Sequence, residues 1–259
     1  MKAVFCSMLI AFSMYSKIPM PRCEWSKENM RCVFCFFPLI GLPIGLLCLG
    51  WLLFTDWLTR QGLPVETLFR SAVLVLIPVF VTGGIHLDGF LDTSDALGSF
   101  RDREKRLEIL KDSHAGAFAI IHGCAYFTLY LGAAGMLTVR EMRFLVPCFV
   151  LSRTLSGLAV IRFPLARGTG LAAAFADGAQ KELVQRCLLI YLAVLAVVLW
   201  LTGGVSGLLC LAAALLVFRW YYRMSLREFG GITGDLAGWF LQVCELVMLL
   251  TAVLTRWIF

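Results

Sequence analysis

The sequence predicts an all-α, polytopic membrane protein, and three observations carry that prediction. Hydrophobic residues make up 60% of the chain and charged residues only 15%, with a mean hydropathy of +0.84. A soluble domain is nearer 25% charged, so the bilayer is the expected solvent. Seven apolar windows recur at 32–55, 68–87, 115–137, 144–162, 186–202, 205–222 and 237–255. Each is near the ~20 residues that cross a ~30 Å hydrocarbon core. Basic residues then fall mostly on alternate loops. In lipid the backbone must satisfy its own hydrogen bonds, so every span is expected to be helical.

The chain opens on "MKAVFCSMLIAFSMYSKIPMP". This stretch lacks an A-x-A-like cleavage site and ends on Pro19 and Pro21, so it reads as a retained re-entrant or interfacial segment rather than a signal peptide. The pair of windows at 186–202 and 205–222 is separated only by "GGVSG", a hinge signal. No segment has the composition of a disordered linker, and residues 1–259 read as a single integral-membrane domain. Ten cysteines are scattered through apolar segments, where they act as small hydrophobes. Cys32 and Cys35 have CxxC spacing but open a hydrophobic helix with no second pair, so neither a metal nor a redox role is assigned to them.

Orientation follows from the charges. The loops 17–31, 88–114, 163–186 and 219–236 carry fifteen Lys and Arg residues, against five (Arg60, Arg70, Arg140, Arg143, Arg256) on the opposite set. The first set is therefore cytoplasmic, and seven crossings leave the C-terminus outside. The net charge of +6 is thereby mostly topology, and no nucleic-acid partner is implied. The stretch "RDREKRLEILKDSHAG" (101–116) reads as an amphipathic cytoplasmic helix, with Leu107, Ile109 and Leu110 expected to face the membrane surface.

On the cytoplasmic side the sequence breaks its own rule and becomes acidic. Asp88, Asp92 and Asp95 stand at i, i+4 and i+7 in "HLDGFLDTSDAL", an arc of about 60° on one helical face. Like charges so placed repel, and a hard divalent cation removes the penalty. Gly89 permits close approach beside the first Asp. Arg101, Arg103, Lys105, Arg106 and Lys111 follow, a cationic set suited to phosphates or simply to topology. His86 precedes the triplet as a metal ligand, a substrate contact or a helix-end imidazole, and His122 reads as interhelical glue. Arg153 and Glu245 lie within apolar spans, where a charge is expensive and marks function. Arg153 is expected to meet a substrate phosphate or a partner carboxylate. "EFGGITGD" (228–235) is a second polar island, whose amides suit a phosphate at a helix start.

These islands, in this order, resemble the cobalamin synthase family, the adenosylcobinamide-GDP ribazoletransferases. The resemblance rests on "FSMYSKIPMPRCEWS" (12–26), "GGIHLDGFLDTSDAL" (83–97) and "LEILKDSHAGAFA" (107–119), and continues through "SRTLSGLAVIRFPLARGTGL" (152–171) and "GGITGDLAG" (230–238) to Glu245. It implies a multi-pass enzyme of the cytoplasmic (inner) membrane with its active site facing the cytoplasm. The reaction it implies is a Mg²⁺-dependent joining of adenosylcobinamide-GDP to α-ribazole or its 5′-phosphate, with release of GMP. On that reading Asp88, Asp92, Asp95, Asp235 and Asp112 are the metal candidates, and Asp95 and Asp92 the catalytic ones. His86, Arg101, Lys111, Ser113, Arg153, Arg167, Thr233 and Glu245 are the substrate-binding candidates. Membrane lipid, other cobalamin-assembly enzymes and a second copy of the chain are the further partners to consider. The runner-up enzyme is a phospholipid-forming CDP-alcohol phosphotransferase, whose pattern needs Ala-Arg where Asp92-Thr93 stand. The runner-up non-enzyme is a cation-coupled transporter, which favours mid-membrane charges and internal repeats.

Overall fold

Helices follow one another along the computed structural model, which describes residues 2–112, 114–167 and 179–258. They are α1 (Lys2–Tyr15), α2 (Lys27–Met30), α3 (Val33–Phe36), a 3₁₀ turn (Phe37–Ile40), α4 (Gly41–Arg60), α5 (Thr67–Thr82), α6 (Ile85–Gly98), α7 (Arg103–Ile109), α8 (Ala117–Gly135), α9 (Val139–Arg162), α10 (Lys181–Phe229) and α11 (Gly234–Thr255). Among the described residues no β-strand forms; an isolated bridge joins Leu165 to Ile232.

Five of these helices are long and apolar enough to cross a membrane, or six when the bent pair α5–α6 counts as one span. The sequence predicts seven, and α10 resolves the difference. Its 49 residues would extend ~74 Å as one rod, more than twice the hydrocarbon core. Gly204 interrupts it at φ 54°, ψ −130°, backbone angles that glycine adopts readily. The two halves fold back so closely that a Cβ on Gly207 would lie 2.1 Å from the Leu199 carbonyl oxygen. Counted as two crossings about the predicted hinge, α10 brings the total to seven. The hairpin's outer surface is apolar and exposed at Ile190, Val197, Leu201 and Leu216, as a lipid-facing surface must be. The N-terminal helix α1 spans 14 residues, about 21 Å, too short to cross. It packs instead on α2, α3 and the 3₁₀ turn.

At the centre stands α9, whose residues from Glu141 to Val160 are nearly all buried. It starts on a capping box, with Thr138 and Glu141 satisfying each other's backbone donors. Against it lies α4, at Gly41 and Gly45, a small-xxx-small pair. A Cβ on Gly41 would sit 2.2 Å from the Phe149 carbonyl oxygen. Within α9, Arg153 is 1% exposed and donates to Glu245 of α11 at 2.6 Å and to the Phe149 carbonyl oxygen at 2.9 Å. Ser152 also donates to Glu245, at 2.8 Å. Of the two partners expected for Arg153, the structure supplies the carboxylate.

Two expectations need correction. The stretch 88–98, counted in the cytoplasmic segment 88–114, is helical as its spacing predicts, but it is part of α6 and packs on α8 and α11. The apolar face of α7 turns to protein rather than to the membrane surface. Leu110, just past its end, is buried, and Leu107 and Ile109 pack against the same core. Polar anchoring explains this: Arg106 pairs with Glu228 at the end of α10, and Arg167 donates to the Leu107 carbonyl oxygen.

Removing one partner of a buried ion pair strands the other in a medium that cannot solvate it. Glu245→Leu is therefore expected to destabilise the detergent-purified protein by about 3–5 kcal/mol. The double variant Arg153→Met, Glu245→Leu recovers most of that loss. Thermal unfolding of the three proteins checks it, and a single variant as stable as the wild type would rule out the pairing.

Candidate active site

Two consecutive left-handed glycines, Gly83 (φ 65°) and Gly84 (φ 80°), turn the chain by 97° between α5 and α6. The turn drops α6 against the start of α11. There Gly89 meets Asp235 so closely that a Cβ would lie 2.7 Å from the Asp235 carbonyl oxygen. Gly238 lies against His86 on the other side of the contact. Thr233 begins α11 as its N-cap, accepting from the Leu236 amide at 3.2 Å, and its hydroxyl lies 3.4 Å from Asp235. The bridge Ala166 N–H to Ile232 O (2.9 Å) and Ile232 N–H to Pro164 O (2.8 Å) ties the segment carrying Arg167 to this corner.

The contact sets the acidic face of α6 opposite Asp235. Asp88, Asp235 and Asp95 are all near enough to Asp92 to act on its charge. None of the four forms a salt bridge with a described residue. Asp95 is turned partly aside: its Oδ1 accepts from the Ala119 amide in the first turn of α8 at 3.3 Å. Its carboxylate also fills the space a side chain at Gly116 would take. That is the favourable end of a helix dipole for an anion.

A hard dication fits this donor set, which is all carboxylate oxygen and lacks a paired cation. Among the described residues no group of three or more His, Cys, Asp or Glu is arranged to hold a metal by itself. Mg²⁺ does not need such a cage, because it keeps waters and substrate phosphates in its shell and takes one or two carboxylates from the protein. Asp112, the fifth metal candidate, engages His114 through its side chain at 2.7 Å and its backbone amide at 3.0 Å. Those bonds hold its carboxyl below the usual carboxylate range.

Beside the acids opens a cavity of about 230 Å³. Asp88, Asp235, Thr233 and Arg167 line its polar side, and Tyr15, Phe34, Phe37 and His86 its aromatic side. His86, Asp88, Arg167, Thr233 and Asp235 are thus brought together as the sequence suggests. Arg101 and Lys111 are exposed on the flanking segments. Arg153 and Glu245 spend their charges on each other, and neither lines the cavity. Ser113 lies outside the described residues. Arg103 lies against Gly230, where its guanidinium occupies the space of the missing Cβ.

Tyr15, Phe37 and Ser156 line the cavity without having been singled out in the sequence. Tyr15 falls inside a motif that carries the family resemblance, which was the available signal. Ser156 falls inside another such motif (152–171), whereas Phe37 sits in an apolar window, where an aromatic is ordinary.

A family model described as cobalamin-5-phosphate synthase matches residues 7–253. A protein of Lachnoclostridium phytofermentans named adenosylcobinamide-GDP ribazoletransferase is 43% identical over 250 residues, covering 96% of this chain and 94% of that protein. Proteins of the same name from Clostridium perfringens (35% over 251 residues, 95% of this chain and 96% of that protein) and Brevibacillus brevis (32% over 253 residues, 96% and 98%) are similar along their whole length. No solved structure matches the chain.

The Gly89 contact is open to direct test. Gly89→Val forces α6 from α11 and is expected to cost about 1–3 kcal/mol in thermal stability, the usual range for overpacking. Gly50→Val, where a Cβ meets nothing within 4 Å, is the control and should unfold with the wild type. Equal midpoints for all three proteins would refute the close approach.

Proposed function

The chain belongs to the cobalamin-5-phosphate synthase family, and on that premise we propose how its residues share the reaction. It is a membrane enzyme that transfers adenosylcobinamide phosphate from adenosylcobinamide-GDP to α-ribazole or its 5′-phosphate, releasing GMP, in nucleotide-loop assembly. The phospholipid-enzyme and transporter readings give way to that membership. The enzyme sits in the cytoplasmic (inner) membrane with its acidic end in the cytoplasm, a placement the fifteen-to-five basic bias supports.

In the transfer, the acceptor's ribose 3′-hydroxyl oxygen bonds to the phosphorus of the adenosylcobinamide phosphate as the phosphorus–oxygen bond to GMP breaks. GMP leaves with the bonding electrons, and the hydroxyl proton needs a base. Such reactions depend on positioning and charge neutralisation more than on covalent help from the protein. Asp88 and Asp235, with Asp92 beside them, would hold Mg²⁺ through one or two carboxylates at a time, and the ion when bound supplies charge neutralisation to the diphosphate. Asp95 takes the hydroxyl proton. The Ala119 amide holds Oδ1, which orients the carboxylate. Arg167, partly engaged by the Leu107 carbonyl oxygen, keeps further guanidinium donors for phosphate. Arg101 and Lys111, exposed on the flanking segments, steer the polyanionic donor. Arg153 and Glu245 act from behind, fixing α9 to α11. The observation that carries this reading is the apposition of Asp88 with Asp235 at the wall of the cavity, with Asp92 and Asp95 on the same face of α6 behind them and outside its lining.

In purified enzyme with Mg²⁺, Asp88→Asn and Asp95→Asn are each expected to lower GMP release by about a hundredfold or more. Chelation should abolish it and Mg²⁺ restore it. Near wild-type turnover in both variants would overturn the site. For Asp95 as base, the acidic limb of the pH–rate profile should vanish in Asp95→Asn. An unchanged limb would leave Asp95 as a helix cap alone.

A further inference from the structure

The aromatic side of the cavity holds a polar atom with nothing to bond. His86 is 5% exposed, and its Nε2 is buried without a hydrogen-bond partner among the described residues. The imidazole lies nearly parallel to the Tyr15 ring, with centroids 6.0 Å apart and planes at 19°. Phe37 meets it edge-on at 6.1 Å and 70°, and Phe37 and Tyr15 are 4.5 Å apart. Leaving a buried nitrogen unsatisfied is costly, and native proteins retain the arrangement where a ligand completes it. The neighbouring rings are flat and apolar, and they favour a planar aromatic guest in stacked or edge-to-face contact. A few steps across the same cavity stand Asp88 and Asp235.

We propose that Tyr15, Phe37 and His86 form the subsite for the acceptor's base, with His86 Nε2 donating a hydrogen bond to the free ring nitrogen of a benzimidazole-type nucleoside. The proposal rests on the ribazole-transfer reading above and names where its acceptor sits. Three planar bases take part in that reaction, the benzimidazole of the acceptor and the guanine and adenine of the donor, and adenine, like guanine, carries several polar edge groups that need partners when buried. Guanine carries a carbonyl, a ring N–H and an amino group on one edge, all of which need partners when buried. The aromatic side offers His86 Nε2, the Tyr15 hydroxyl and the Ser156 hydroxyl, and of these His86 Nε2 is the one buried without a partner among the described residues. A benzimidazole has one free ring nitrogen and an otherwise apolar body, so it matches a slot with one orphaned nitrogen. With the base there, the attached ribose extends toward the acidic wall, where the attacking hydroxyl is needed.

The test compares α-ribazole with its indole analogue, in which a C–H replaces the free ring nitrogen, using detergent-purified full-length enzyme. Wild-type enzyme is expected to show a KM for the indole acceptor about tenfold higher, the effect of one good hydrogen bond. His86→Leu should raise the KM for α-ribazole by a similar factor and erase the preference between the two acceptors. His86→Gln, which keeps a donor, should restore part of it. The KM for adenosylcobinamide-GDP should stay constant throughout. Equal use of both acceptors by the wild type overturns the assignment, and this arm holds even if the variants fail to fold. A shift in the donor KM in place of the acceptor KM overturns it as well, by moving one of the donor's bases into the slot. Failure of wild-type enzyme to transfer to either acceptor would instead remove the ribazole-transfer reading, and the subsite with it.

Discussion

Everything at the polar end of the bundle depends on how closely α6 approaches α11. Backbone meets backbone at Gly89 and Asp235, with Gly238 against His86 on the other side. That contact is possible only because the Gly83–Gly84 joint turns α6 out of line with α5. One approach therefore does two things at once. It sets carboxylates from distant parts of the chain near one another, and it closes a wall of the cavity beside them. A larger side chain at position 89 would separate the charges and open the cavity together, so the chemistry and the packing are not independent.

The rest of the scaffold holds that approach in place. The buried Arg153–Glu245 pair joins the central helix to α11, the helix that carries Asp235. Such pairs add little net stability over an apolar match, but they penalise any register in which the partners miss. In a bundle whose helices present mostly aliphatic surface, register is what apolar contact specifies poorly. At the start of α11, Arg106 on Glu228 and Arg167 on the Leu107 carbonyl oxygen bind the basic helix α7 and the end of α10 to the same corner. Arg106, one of the cations that suggest phosphate binding, is thus used to assemble the site, and Arg167 assembles it with part of its guanidinium.

What the sequence made legible follows from what lipid and helical periodicity impose. The bilayer leaves few options for an apolar run, so the spans and the hinge in "GGVSG" were readable. Residues spaced at four and three share a helical face, so the acidic face of α6 was readable too. The unread parts are set by distant packing. Asp95 is diverted to α8 by an amide 24 residues away. Arg103 finds Gly230 across the fold, and α7 docks on protein where its amphipathic pattern suggests a membrane surface. The aromatic nest around His86 unites positions 15, 37 and 86 from three helical segments. Local periodicity carries no information about such meetings.

The hinge at Gly204 has a consequence for how the chain enters the membrane. Between Arg186 and Arg219 there is no Asp, Glu, Lys, Arg or His, and the tip of the hairpin is a single tight turn. Inserting residues 187–218 as a folded pair carries no charged side chain across the bilayer and leaves almost no polar loop to translocate. Each charge at the centre of a span would add about 2.5–3.5 kcal/mol to the work of insertion. The hairpin avoids that work altogether. On the cytoplasmic placement proposed above, its insertion is a partitioning event that leaves both flanking charged segments on the side where they are made.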